Sequence, residues 1–202
     1  MTALYPERFL KGLVFYGGYH TNPVNVGIHV LCVPSIYFSA LVLLQRVPIA
    51  VPTIIATALA SVGLPAASAA LPTAAFYSLY YTYLPGPSLL GFSASALAAG
   101  ALWGVGAWNS WLGVRAIPVA ATVHIACWLA QFYGHGAHEG RAPALLDNLF
   151  DALVLAPLFV WTEILMSIGL AKSLHDVVVP RVNKEVGDYR ATLTSKDNGK
   201  GK

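Results

Sequence analysis

Charge is what this sequence has least of. Only 10% of its 202 residues are Asp, Glu, Lys or Arg, against about a quarter in ordinary soluble domains, and the middle of the chain is nearly free of them. That excludes a conventional water-soluble globule. Cysteine is as scarce. Cys32 and Cys127 each lie inside an apolar segment with no neighbouring thiol, so neither a disulfide framework nor a zinc site is expected, and both read as small buried hydrophobes. The basic residues form no patch despite a net charge of +3, which removes the main argument for a nucleic-acid partner. No apolar core followed by a small-residue cleavage site is visible within Met1 to Lys11, so no cleaved signal is expected and insertion would use the first span. Internal repeats and glycine-rich phosphate loops are also missing.

What remains is apolar and helical. Hydrophobic side chains make up 56% of the chain and mean hydropathy is +0.62, which predicts an all-α polytopic transmembrane bundle of about four to six membrane-embedded helices plus a short N-terminal helix. Pro6 to Tyr19 is too short to cross a hydrocarbon core of roughly 30 Å. The first span runs from about Val26 to Leu44. Weaker segments, Ile49 to Leu64 and Ala67 to Leu84, follow, and Pro85-Gly86-Pro87 breaks the chain. Leu89 to Trp108 is rich in Gly and Ala, which suits close helix packing, with Trp103, Trp108 and Trp111 as an interfacial belt. A further helix reaches about His138, Asp147 is a plausible N-cap, and the last span covers Leu149 to Leu170. Residues 1–172 are therefore expected to form one membrane-embedded catalytic domain, and 173–202 a polar cytosolic tail, disordered from Ser195. Arg8 and Lys11 precede the first span and most other cations follow the last, which puts both termini in the cytosol.

The polar residues inside this apolar chain are the candidates for function, because ionisable groups in hydrocarbon face the bundle interior and mark a pathway or a site. At about 100° per residue, His124, Trp128, Gln131, His135 and either His138 or Glu139 share one helix side. Glu163 stands alone in the last span, as a functional group or as a protonated carboxyl bonding a neighbour. His20 and His29 flank Thr21-Asn22-Pro23-Val24-Asn25. Pro23 should break the helix there, letting the chain fold back and aim both rings at one point, with Asn25 free to cap the next helix. Neutral imidazoles are common ligands for iron, zinc and copper. His135 and Glu139, four residues apart, can address one ion, with Gln131 one turn earlier. Three readings follow from these residues: a metal enzyme, a proton or ion relay along the stripe, and a scaffold held by a structural metal.

Two strings are more specific. Tyr19-His20-x-Asn22-Pro23-x-Asn25-x-x-Ile28-His29-x-x-x-x-Pro34 and Gln131-Phe132-x-Gly134-His135-x-x-x-Glu139-x-Arg141-x-Pro143-Ala144-Leu145, with Asp147-Asn148-Leu149, resemble the fungal 2-hydroxy fatty acid dioxygenases of the endoplasmic reticulum membrane. The resemblance covers nearly the whole chain to Lys172. It implies iron(II)-dependent α-oxidation in phytosphingosine breakdown, in which a 2-hydroxy fatty acid and dioxygen give a fatty acid one carbon shorter. It also implies Fe2+ on His20, His29 and His135, with Glu139 next. For a 2-hydroxy acid in such a site Arg141 is the candidate clamp for the carboxylate, and Gln131 could hydrogen-bond the ligand or orient an imidazole. His124 and His138 have no counterpart in the motifs.

One difficulty stands in the way. His29 begins the first span and His135 ends the fifth segment, so five full crossings would hold them on opposite faces. They can meet only if one of the Pro-containing segments, Ile49 to Leu64 or Ala67 to Leu84, fails to cross.

Overall fold

The computed structural model describes residues 5–64, 68–142 and 149–200. Among these the regular structure is helical: α1 Glu7–Gly17, α2 Pro23–Leu44, α3 Thr53–Ser61, α4 Ala70–Tyr83, α5 Leu89–Leu112, α6 Ala116–Tyr133, α7 Leu149–Ser167 and α8 Lys172–Lys200. A single bridge between Pro48 and Ser68 is the nearest thing to a strand. Leu31, Leu79, Ile125 and Leu129 are exposed on the outside, as they would be against lipid.

α2 starts three residues before its predicted start at Val26. Pro23 opens the helix, because its fixed φ suits the first turn and its missing N–H would be unpaired there anyway. Asn22, and not Asn25, is the cap, with its side-chain oxygen accepting from Val24 N at 2.9 Å. α3 is nine residues with none buried, about 14 Å long at 1.5 Å per residue.

That short helix resolves the crossing problem. α2 leads away from His29 towards Gln45, whose side chain exchanges hydrogen bonds with Asn109 near the end of α5. α4 returns: Ala70 and Ala74 pack with Leu41 and Val42, whereas Tyr81 and Leu84 pack with Phe9 and Leu10 of α1. α5 leads away again, from Ala98, whose carbonyl takes the Tyr37 hydroxyl, to Asn109. At Gly113, φ +55°, the chain reverses, and α6 runs back past Ser39 to His135 beside His29. Four passes, with α3 outside them, end on the side where they began. By length and composition two runs suffice to span a bilayer, Pro23–Leu44 and the 51-residue Leu89–Glu139 that folds back at Gly113, with a third possible from the pair Ala152–Ser167 and Lys172–Thr192, bent by 111°.

Two apolar clusters result. One joins α1, α4, α5, α7 and α8 through Phe9, Tyr81, Leu158 and Leu174; the other joins α2, α4, α5 and α6 through Leu41, Val105 and Ala120. The polar segment after Lys172 is helical to Lys200. Leu174 and Val178 belong to the first cluster, and Arg181 pairs with Glu7 of α1 at 3.0 Å, so the start of the expected tail is packed against the body. Cys32 and Cys127 are both free, as expected, although the pairing of α2 with α6 brings them close enough to interact across 95 residues of chain. The expected cap Asp147 lies outside the described residues.

Candidate metal centre

His20, His29 and His135 come from three different elements. α1 ends at Gly17, a short turn carries the chain through His20, and α2 then presents His29 from its second turn. The His20 ring stacks on Tyr16, centroids 3.9 Å apart, and its Nδ1 donates to the Tyr16 carbonyl at 2.7 Å. His29 does the same one helix later, donating from Nδ1 to the Asn25 carbonyl at 2.9 Å. A carbonyl can only accept, so both rings carry their proton on Nδ1 and leave the Nε2 lone pair free.

His135 stands in a π-helical turn, Gly134–Glu139, that follows α6 and is closed by Gly140 in the left-handed region at φ 66°. Such wide turns are rare and frequently found at functional sites. Gly134 permits the approach of this turn to α2: a Cβ there would lie 2.5 Å from Asn25 Oδ1.

The three imidazoles are 9%, 5% and 3% exposed, with ring centroids 4.3, 5.0 and 4.9 Å apart and one nitrogen from each within 4.8 Å of the others. His20 Nε2 and His135 Nδ1 are buried without a hydrogen-bond partner. Buried nitrogens left so cost about 1–3 kcal/mol each, which a divalent metal in their midst would offset. Burial, and next the adjacent His29, hold the His20 imidazole well below the usual histidine range, so its ligating, neutral form prevails. Three neutral nitrogen donors with room beside them suit a metal with open positions.

Glu139, which spacing had grouped with these rings, is directed elsewhere. One carboxylate oxygen accepts from Thr21 N at 2.9 Å and from the Thr21 hydroxyl, the other from Asn22 N at 3.0 Å and Asn25 Nδ2 at 3.1 Å. Its charge is spent on the donors before α2, where a helix start attracts anions. It is therefore not in the group of residues able to hold a metal, and it bolts the His135 turn to the His29 helix. Arg141 donates to the Gly18 carbonyl at 2.8 Å, and its guanidinium lies over the Tyr19 ring at 3.5 Å and the Tyr189 ring at 4.1 Å. It ties α8 to the turn and does not line the central cavity.

Gln131 is buried, lines that cavity and leaves Nε2 without a partner. His124 is fully engaged: Trp128 Nε1 donates to its Nε2 at 3.1 Å, so its Nδ1 carries the proton shared with Ser39 Oγ at 2.9 Å. His138 packs on Tyr133, away from the cluster. Glu163 has a buried, unpartnered Oε2, as does the Tyr16 hydroxyl. Tyr16 and Asn25 are the supports that reasoning from motifs overlooked. Each precedes its histidine by four residues, the spacing at which a helical carbonyl can take a ring N–H, and that spacing was there to be read.

The cavity, of about 220 Å³, opens from the imidazoles into the space between α2, α4, α6 and α7. α6 and α7 both contribute to its wall, but among the described residues each packs mainly on α2 rather than on the other. Phe132 and Leu153, lining the cavity from one of these helices each, are 45% and 39% exposed.

The family described as 2-hydroxy-palmitic acid dioxygenase Mpo1-like matches residues 7–168. The chain is 36% identical over 182 residues to the 2-hydroxy-palmitic acid dioxygenase MPO1 of Saccharomyces cerevisiae, covering 85% of this chain and 90% of that protein. No solved structure matches it.

Proposed function

The chain belongs to the Mpo1-like family, and from that premise we propose that it is a 2-hydroxy fatty acid dioxygenase in which His20, His29 and His135 hold iron(II). The convergence of three buried neutral imidazoles on one point carries the metal part of this reading, and the family carries the reaction. Substrates are a 2-hydroxy fatty acid and dioxygen. One of each gives the acid shortened by one carbon, carbon dioxide and water, so atoms and electrons balance with no external reductant. The place of the reaction is phytosphingosine breakdown at the endoplasmic reticulum membrane, with residues 1–172 as the catalytic body and both termini in the cytosol.

Iron(II) in this site supplies the redox chemistry by which dioxygen reacts with the acid. The chain's own residues do the rest. Tyr16 and Asn25 hold two rings in the ligating tautomer. The apolar wall excludes water. Gln131 Nε2, buried and unpartnered beside His135, is the donor available to the carboxylate or hydroxyl of the acid, and takes the role that Arg141 would otherwise be assigned. A relay would need polar groups at successive depths with exchangeable partners. Convergent imidazoles and a doubly bonded His124 favour an enzyme.

Metal analysis of the purified full chain tests this, followed by anaerobic iron reconstitution and mass spectrometry of a 2-hydroxy acid incubated with oxygen. One iron per chain and a product one carbon shorter are expected. Stoichiometric zinc, with no product after iron loading, would move the protein to the scaffold reading.

A further inference from the structure

The cavity is polar at one end only. Among its lining residues the buried polar atoms without a partner belong to Tyr16, His20, Gln131 and His135, all at the metal end. Further along, the polar side chains are satisfied: His124 bonds Ser39 and Trp128, and the Thr73 hydroxyl donates to the Ala69 carbonyl at 2.8 Å. Val33, Ile36 and Tyr37 complete the α2 wall. A molecule with one polar head and a long apolar tail matches that polarity.

The depth is limited. On α2 the lining runs from His29 to Ala40, and on antiparallel α6 from His135 back to His124, which at 1.5 Å per residue is about 16 Å on each helix. That is close to half of a roughly 30 Å hydrocarbon core, the reach of an acyl chain in one leaflet. Past Ala40 and Thr73 lie Leu41, Val42, Ala74 and Ala120, all buried and packed together in the second core cluster. The tail has nowhere further to go in that direction.

We propose that this cavity gauges acyl-chain length: the acid binds with its carboxyl end at the imidazoles and its methyl end against Ala40 and Thr73, the two small residues that set the longest chain accepted. The proposal rests on the dioxygenase reading for the identity of the head group. Its orientation and its floor are separate claims.

A long-chain 2-hydroxy acid bearing a diazirine at its methyl end, irradiated with the full chain in nanodiscs, should label residues 36–44 and 70–77. Labelling at the imidazole end, or only on outward-facing Leu31, Ile125 and Leu129, overturns the orientation. Ala40→Phe and Thr73→Leu should retain wild-type metal content and raise the ratio of kcat/KM for short over long acids by about tenfold or more, since one methylene in a tight apolar pocket is worth 10–200-fold. An unchanged ratio in variants that keep their metal overturns the floor. A wild-type protein labelled as expected that consumes no 2-hydroxy acid refutes the dioxygenase reading and leaves the gauge standing.

Discussion

Gly134→Ala separates a tuned contact from a tolerant one. In an open helical position this change gains stability, because alanine exceeds glycine by about 1 kcal/mol in helix propensity. Here the added Cβ would sit 2.5 Å from Asn25 Oδ1 and 3.2 Å from Ile28 Cδ1, so either α6 withdraws from α2 or the Asn25 side chain turns. Overpacking of this kind costs about 1–3 kcal/mol. Turning Asn25 also breaks its bonds to the Tyr19 carbonyl and to Glu139, the latter to a charged acceptor and worth about 1.5–3 kcal/mol. The damage falls on the metal centre from both sides, since His135 follows Gly134 directly and His29 hangs on the Asn25 carbonyl. Disturbed supports of metal ligands typically cost 10- to 100-fold in affinity. Chelator competition on the purified variant should therefore show metal affinity weakened by at least about tenfold, and thermal unfolding should come earlier, not later. A variant that melts higher than wild type and keeps its metal affinity would show that the contact between the turn and α2 is slack.

Replacing His20, His29 or His135 singly with Ala should each abolish stoichiometric metal, whereas Glu139→Gln should keep it and lose about 1.5–3 kcal/mol of stability; metal analysis beside denaturant melts tells them apart, and loss of metal in Glu139→Gln would make that carboxylate a ligand. His124→Phe should retain its metal while the orphaned Trp128 N–H costs about 1–3 kcal/mol, so a metal-free His124→Phe protein would contradict the hydrogen bonding described. For pH, the lowered His20 value means that the folded metal-free protein binds fewer protons there than the unfolded chain. That group's contribution is full above the unfolded value of about 6.5 and declines as pH falls below it towards the folded value. Unfolding of metal-free protein at about pH 7 and about pH 5 should show the loss on acidification. A His20→Phe variant should show a smaller loss over that range, and an equal one would take His20 out of the account.

The fold was legible where chemistry is local. Low charge and long apolar runs announced a helical membrane bundle, and Pro85-Gly86-Pro87 marked the turn before α5. The three imidazoles were legible because Pro23 forces a reversal between two of them and a motif carried the third. Glu139 was not, because a spacing of four residues fits ligation of a common ion and also the capping of a neighbouring helix. Only the position of Thr21 and Asn22, 118 and 117 residues away, decides between them. Arg141 misled for a similar reason: a guanidinium suits a carboxylate, and equally two tyrosine faces, one of them on α8. The parity of the passes narrowed the question to two Pro-containing segments, and only the short α3, which buries nothing, decides between them.

The half-exposed Phe132 and Leu153, where α6 and α7 face each other across the cavity, change what concentration means for this protein. A substrate that enters sideways from hydrocarbon is presented at its mole fraction among lipids, not at its molarity in the bulk. Apparent KM expressed per volume should rise in proportion as inert lipid is added at fixed substrate, while KM expressed per lipid stays constant. Vmax should not change. Activity would then answer to the composition of the surrounding membrane, and a bilayer enriched in 2-hydroxy acid would raise flux with no change in the aqueous phase.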